Sequence, residues 1–373
     1  MYIILMTLLL IILYLGGGIF DTGIKKKNVI NLTFIIVPII VYSLIEGLRY
    51  GRGNDYFEYK YLYENAQSIF NHNDENYEFL FAWLNYILRN FDIPYCGAFI
   101  VYSFLTIFFI VIGLRKLNIC GICKYALPLF LIATLFQSEN IVRQTISFSI
   151  CFAAICYLIK GSKITFFAFF AIALGFHNSA IIVFVVSVLL MLVRDKLPPL
   201  NIVITVYFIS WIVGRSILPK FSQIFTVIPL PVKYERFTYN TDFWFSGEEL
   251  VSQFSTITMA RSILNSIGIL VLAYYLFKKY YRQDLYIFLN LFIVGAVFNQ
   301  FTIGVQLLTR ITTLFYNFQF IVFAIILYYF FRYEKFRKNW RTLLVVMVCI
   351  NQLYNYFVPI INSASSAMFV WDL

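Results

Sequence analysis

YIILMTLLLIILYLGGGIFDTGIKKK, residues 2–27, holds no charge from Tyr2 to Phe20 and then closes on Asp21 and three consecutive lysines, Lys25, Lys26 and Lys27. About 20 consecutive apolar residues is the length an α-helix needs to cross a bilayer. The run sits where a signal peptide would, yet no basic segment precedes it, so it reads as a membrane span that the chain keeps. The lysines mark the end of that span that stays on the cytoplasmic side.

Working outward, apolar stretches of near-membrane length recur at about 2–20, 29–48, 97–114, 125–138, 141–159, 164–176, 177–193, 200–217, 258–277, 285–303, 309–331 and 342–360. They predict an all-α polytopic integral membrane protein with about 12 transmembrane helices, forming a single helical domain over 1–373. The stretch 164–193 is long for one span and short for two; it predicts either a helix pair meeting at Phe176–His177 or one tilted helix. A shorter apolar piece, 79–90, reads as a surface or re-entrant helix. Composition agrees: 61% of the 373 residues are hydrophobic and 13% charged, a balance that lipid accommodates and water does not.

The formal charge of +11 is spread over short loops rather than gathered on one soluble face, which argues for membrane topology and against nucleic acid. Loops 21–28, 115–124, 160–163, 194–199, 278–284 and 332–341 hold 18 of the 29 Lys and Arg residues. These are the cytoplasmic loops. The other side carries 11 basic and 14 acidic residues, −3 against +14 inside, and both termini fall on it. Two external segments are long, 49–96 and 218–257. The first opens on glycines and continues as an amphipathic helix starting near Asp55; the second reads as a partly ordered cap.

The six cysteines show no framework of extracellular pairs and read as small apolar fillers. Cys120 and Cys123 form a lone CxxC without the second pair or histidines that zinc would require. His72, beside Asp74 and Glu75, reads as a solvated loop residue. No metal and no cofactor are expected.

Against this background the outer arginines stand out. Arg49, Arg52, Arg143, Arg215, Arg261 and Arg310 lie at or just inside the external ends of spans. A guanidinium near lipid usually faces a bundle interior, a cavity or an anionic ligand. Its planar fork matches phosphate oxygens, so several such residues suit a phosphate or diphosphate head group. The competing reading has each arginine snorkel to its interface or pair with Glu46 or Glu139. Asp55, in GRGNDYFE, is placed to act as a general base; with Glu58 it also resembles a capping box. His177, in GFHNSA, is a second candidate base or a hydrogen-bonded structural group. The tyrosines of 56–63 and Trp244 are either interfacial anchors or platforms for sugar rings.

At RYGRGNDYFEY (49–59), IVRQTISFSICFAAICYLIK (141–160), GFHNSAII (175–182) and LLTRITTLFYNF (307–318) the chain resembles the EpsG-like family of Wzy-type polysaccharide repeat-unit polymerases, in the same order and through most of its length. The resemblance implies an enzyme of the bacterial cytoplasmic membrane, working on its external face. It would move a growing glycan from undecaprenyl diphosphate onto an incoming lipid-linked oligosaccharide unit. On that reading Arg49, Arg52, Arg143 and Arg310, with Arg261, hold diphosphate, and Asp55 or His177 takes the acceptor proton. A flippase would supply units and a chain-length regulator would act on the product. The rivals are a transporter of the same lipid-linked oligosaccharide and a membrane O-acyltransferase. A transporter should place ionisable groups along a central cavity at several depths, whereas the mid-span positions here are nearly free of charge. Asn290, Asn299, Gln300, Gln306, Asn317 and Gln319 in the late spans read as interhelical hydrogen-bonding groups.

Overall fold

The computed structural model describes residues 2–26, 30–71, 78–119, 121–193, 196–216, 256–280, 282–302, 306–334, 339–362 and 368–369. Most of the second long segment, with Trp244, lies outside these residues, as do His72, Asp74, Glu75 and Cys120. The described chain is almost wholly helical, and a single two-residue antiparallel pairing is its only sheet. Among the described residues, seven helices are long and apolar enough to cross a membrane. The protein is therefore an all-α membrane protein, and the count of twelve full-length spans is not reached by these criteria. Four further apolar helices are shorter than a span.

Backbone contacts divide the chain into two compact units: residues 1–185 with 352–373, and residues 186–351. In the first unit α1 (Tyr2–Lys26) packs on α2 (Ile30–Gly47) and on α7 (Cys123–Asn140). Asp21 near the end of α1 accepts backbone hydrogen bonds from Cys123 (3.2 Å) and Lys124 (3.1 Å), placing a carboxylate on the N-terminus of α7, where helix dipole and unpaired N–H groups favour an anion. α2 lies against α6 (Tyr95–Leu117), closely enough that a Cβ on Gly47 would stand 2.5 Å from the Ile100 Cα. Small residues at such crossings let membrane helices approach where no hydrophobic effect drives them together.

α8 (Val142–Ile159) is the centre of this unit, packed against α6 and α9 (Lys163–Phe176). Protein rather than lipid surrounds it, which accounts for its small and weakly polar residues. Ser147 reaches across to the Ala173 carbonyl at 3.0 Å, and Thr145 and Ser149 bond to carbonyls one turn back. Cys151 and Cys156 are buried there as expected of apolar fillers. α1 contrasts with it: Ile4 and Leu15 are more than half exposed, as lipid-facing side chains are.

The ambiguous stretch 164–193 is a helix pair. α9 ends at His177, whose backbone is extended (φ −161°, ψ 124°), and α10 (Ala180–Leu192) follows. Phe184 of α10 packs on Phe166 and Phe170 of α9, with centroids 5.7 and 5.2 Å apart, so the two helices fold back on each other. Fourteen residues of α-helix rise about 21 Å, less than the roughly 30 Å hydrocarbon core.

Between α2 and α6 the chain forms β1 (Arg49–Tyr50), α3 (Tyr56–Glu64), α4 (Ala66–Asn71) and α5 (Phe79–Asn90). α3 begins one residue after Asp55, as expected, but Asp55 makes no capping hydrogen bond, so the capping-box reading is corrected. α5 is the apolar piece expected at 79–90. It buries Phe81, Asn85 and Leu88 on one face. Leu80 packs so closely against Gly175 of α9 that a Cβ there would meet it at 2.4 Å.

The second unit contains α11 (Leu200–Ser216), α12 (Thr256–Tyr280), α13 (Tyr286–Thr302), α14 (Gln306–Tyr316), α15 (Gln319–Tyr329) and the first half of α16 (Trp340–Asn362). α13 lies between α11 and α14. Two of the late-span amides make the expected bonds between helices: Gln300 donates to Ser262 of α12 (3.3 Å) and Gln319 accepts from Asn265 of α12 (2.7 Å), while Asn290 donates to the Lys196 carbonyl ahead of α11 (3.1 Å).

Candidate functional site

α7 and α8 are not continuous. Ile141, at φ −118° and ψ 57°, breaks the helix, and residues 138–143 become a junction on which the segment after α2 is fastened. Arg49 donates to the carbonyls of Glu46 and Ser138, the latter at 3.3 Å. Arg52 forms a two-pronged pair with Glu139, Nε to Oε1 at 2.7 Å and Nη2 to Oε2 at 3.0 Å. The Tyr2 hydroxyl donates to the same carboxylate at 3.0 Å, and its ring lies 3.9 Å from the Arg52 guanidinium carbon. The Asn54 amide donates to Asn140 Oδ1 at 2.6 Å. β1 is pinned from its other side by β2 (Met368–Phe369), with Arg49 opposite Phe369.

Gly53 makes this fastening possible. Its φ is +93°, and a Cβ would stand 2.3 Å from the Glu139 carbonyl oxygen. An L side chain is strained on both counts, by about 1–3 kcal/mol for the backbone alone. Gly53→Ala is therefore expected to loosen residues 51–55 from the junction, seen as faster proteolysis of that segment in detergent; an unchanged cleavage rate would contradict the packing.

The second half of the site hangs on Glu78, which precedes α5. Its side chain is only 2% exposed. Its backbone occupies the N-cap position, but the carboxylate makes no cap hydrogen bond and turns instead to two other partners. Oε2 accepts from Arg143 Nη1 at 2.5 Å, and Oε1 lies 3.0 Å from His177 Nδ1. The Asn178 amide also points at Oε1, at 3.5 Å. Arg143 belongs to the first turn of α8 and His177 to the tip of the α9–α10 pair, so one carboxylate ties α5, α8 and the hairpin tip together. Arg143 lies over the Phe81 ring (5.8 Å). Phe81 in turn meets Tyr59 edge-on at 6.0 Å. Burial pushes the Tyr59 phenol up, Arg143 pulls it down and Asp55 raises it again. Asp55, Tyr59, Arg143, Glu78 and His177 thus form one electrostatic neighbourhood.

The predicted site residues divide accordingly. Arg49 and Arg52 are buried, 3% and 5% exposed, and the fork of Arg52 is taken by Glu139, the partner the competing reading named. Arg143 and His177 come together through Glu78 and keep 16% and 26% of their side chains exposed. Asp55 is half-buried nearby. Arg261 and Arg310 belong to the second unit. There Arg261 and Asn351 exchange hydrogen bonds, Nε to Oδ1 at 3.0 Å and Nδ2 to the Arg261 carbonyl at 3.1 Å; Arg310 is half-buried on α14. Glu78 is the residue that sequence reasoning missed. Its one sequence signal is an acidic side chain standing directly before the apolar run 79–90.

The helices and the ionic groups gathered at one end of them define a polytopic α-helical membrane protein with a charged site in its first unit. The chain belongs to the EpsG family, whose model matches residues 32–370. That membership points to a polymerase-like role in making polysaccharide. No curated protein and no solved structure matches the chain.

Proposed function

We propose that the protein is a repeat-unit polymerase that transfers a growing glycan from undecaprenyl diphosphate to an incoming lipid-linked oligosaccharide, on the non-cytoplasmic face of a bacterial cytoplasmic membrane. The observation that carries this reading is the Arg143–Glu78–His177 cluster, partly open at the helix ends that the charge distribution assigns to the outside.

Glycosyl transfer asks for three things: a base for the acceptor hydroxyl, stabilisation of charge at the anomeric carbon, and an electrostatic partner for the departing diphosphate. His177 and Asp55 are the available bases. Arg143 supplies positive charge with a fork suited to phosphate oxygens. Arg310 and Arg261 remain candidates for the same chemistry. Arg49 and Arg52 are more deeply buried, and the contacts they make hold residues 49–54 in place. Gln300 and Gln319 bond to Ser262 and Asn265 on a neighbouring helix, which supports a polymerase over a transporter that would need such amides along a polar path.

The test is a gel of surface polysaccharide from cells lacking this gene and cells complemented with it. Single repeat units in the deletion and a restored ladder on complementation are expected. Units trapped on the cytoplasmic side would favour a transporter, and a full ladder with altered substituents an acyltransferase.

A further inference from the structure

His177 is held from one side only. Its Nδ1 meets Glu78 at 3.0 Å, while its Nε2 has no hydrogen bond among the described residues and the side chain is 26% exposed. Glu78 is nearly inaccessible to water, and its other oxygen is committed to Arg143. A buried carboxylate bound to a guanidinium is ionised and can only accept hydrogen bonds. The nitrogen facing it must then carry the ring proton.

We propose that Glu78 is a positioning residue that fixes His177 as the Nδ1–H tautomer, which makes Nε2 the base for the acceptor sugar hydroxyl. This rests on the polymerase reading above. In the step, Nε2 takes the hydroxyl proton while the hydroxyl oxygen forms the new bond to the anomeric carbon. The bond from that carbon to the diphosphate oxygen breaks and its electron pair leaves on undecaprenyl diphosphate. The imidazolium later gives its proton to solvent. Asp55 is then not required to take the proton, and its place beside Tyr59 and Arg143 is electrostatic.

The arrangement makes the near-isosteric Glu78→Gln a sharp probe. Arg143 can only donate and is the closest partner, so the amide oxygen of Gln faces it and the NH2 faces His177, giving up the weak 3.5 Å contact from the Asn178 amide. An amide donor at Nδ1 forces the proton onto Nε2, and the base is lost although size and packing are kept. The experiment is nitrogen-15 NMR of histidine-labelled, full-length protein in lipid nanodiscs, with His72→Gln to leave a single imidazole. It is paired with the polysaccharide ladder in complemented deletion cells.

An Nδ1–H signal in the native ring, an Nε2–H signal in Glu78→Gln, and at least about a 100-fold loss of polymer in both Glu78→Gln and His177→Ala are the expected results. An Nε2–H native ring overturns the proposal, as does a Glu78→Gln protein that builds the native ladder. An Nδ1–H ring in a native protein whose deletion leaves the ladder intact overturns the reaction, and the base role with it, while the tautomer itself stands as measured.

Discussion

Replacing Arg143 by lysine is expected to collapse the polysaccharide ladder to single repeat units, by roughly 100-fold or more in polymer, while the protein still inserts at its normal level. Lysine keeps the positive charge that Glu78, 2% exposed, needs as a partner, so the helix junction should hold. It loses the planar guanidinium geometry that matches phosphate oxygens and keeps only a point charge for Glu78. Arg143→Ala should be worse, because it also leaves a buried carboxylate without its guanidinium. The two variants therefore separate roles. If Arg143→Lys builds a native ladder, Arg143 is only a counter-ion for Glu78, and the diphosphate must be held elsewhere.

How much of this site the sequence reveals depends on which physical signal each residue leaves. An arginine at the end of an apolar run is conspicuous because its charge contradicts its surroundings, and that is how Arg49, Arg52 and Arg143 stand out. A histidine between two apolar runs is conspicuous for the same reason. Glu78 is not, because it follows a polar stretch and reads as one more loop acid. Only the fold-back of α5 onto α9, through the Leu80–Gly175 contact, carries it inward. Partner choice is equally hidden. Sequence proximity alone cannot tell that Arg52 grips Glu139, 87 residues away, while Arg49 turns to backbone carbonyls. Glu139 and the Ser138 carbonyl both lie just before the break at Ile141, which the polar run 137–140 marks between the apolar stretches 125–138 and 141–159, but residue types alone do not say which arginine meets which group.

The fold was more legible than the span count. Apolar composition identifies membrane helices, because lipid imposes one requirement on every exposed face. It does not give their length. α9 and α10 are as apolar as full spans, but each is only 14 and 13 residues long, and they meet at a tip occupied by His177. Their shortness lets the chain turn within reach of Glu78, so the feature that defeats a simple count is also what positions the candidate base.

The largest stability effect is expected at the Arg52–Glu139 pair, whose side chains are 5% and 6% exposed. Glu139→Ala removes the acceptor of both Arg52 prongs and of the Tyr2 hydroxyl, and losing one partner of a buried ion pair typically costs about 3–5 kcal/mol. Arg52→Met should cost a similar amount by stranding the carboxylate. Joining the two changes removes both charges together, so the double variant should be more stable than either single one, since apolar replacement of a whole buried pair is often near neutral. Thermal unfolding of the four proteins in one detergent reads this directly. Additive losses would mean that the pair carries no coupling and that Arg52 is held by its ring contact with Tyr2. A strongly non-additive cycle would establish that Arg52 fastens the 51–55 turn to the α7–α8 junction. The polymer ladder of the double variant then asks a separate question: if it survives, Arg52 serves the architecture of the site and the chemistry rests with Arg143, Glu78 and His177.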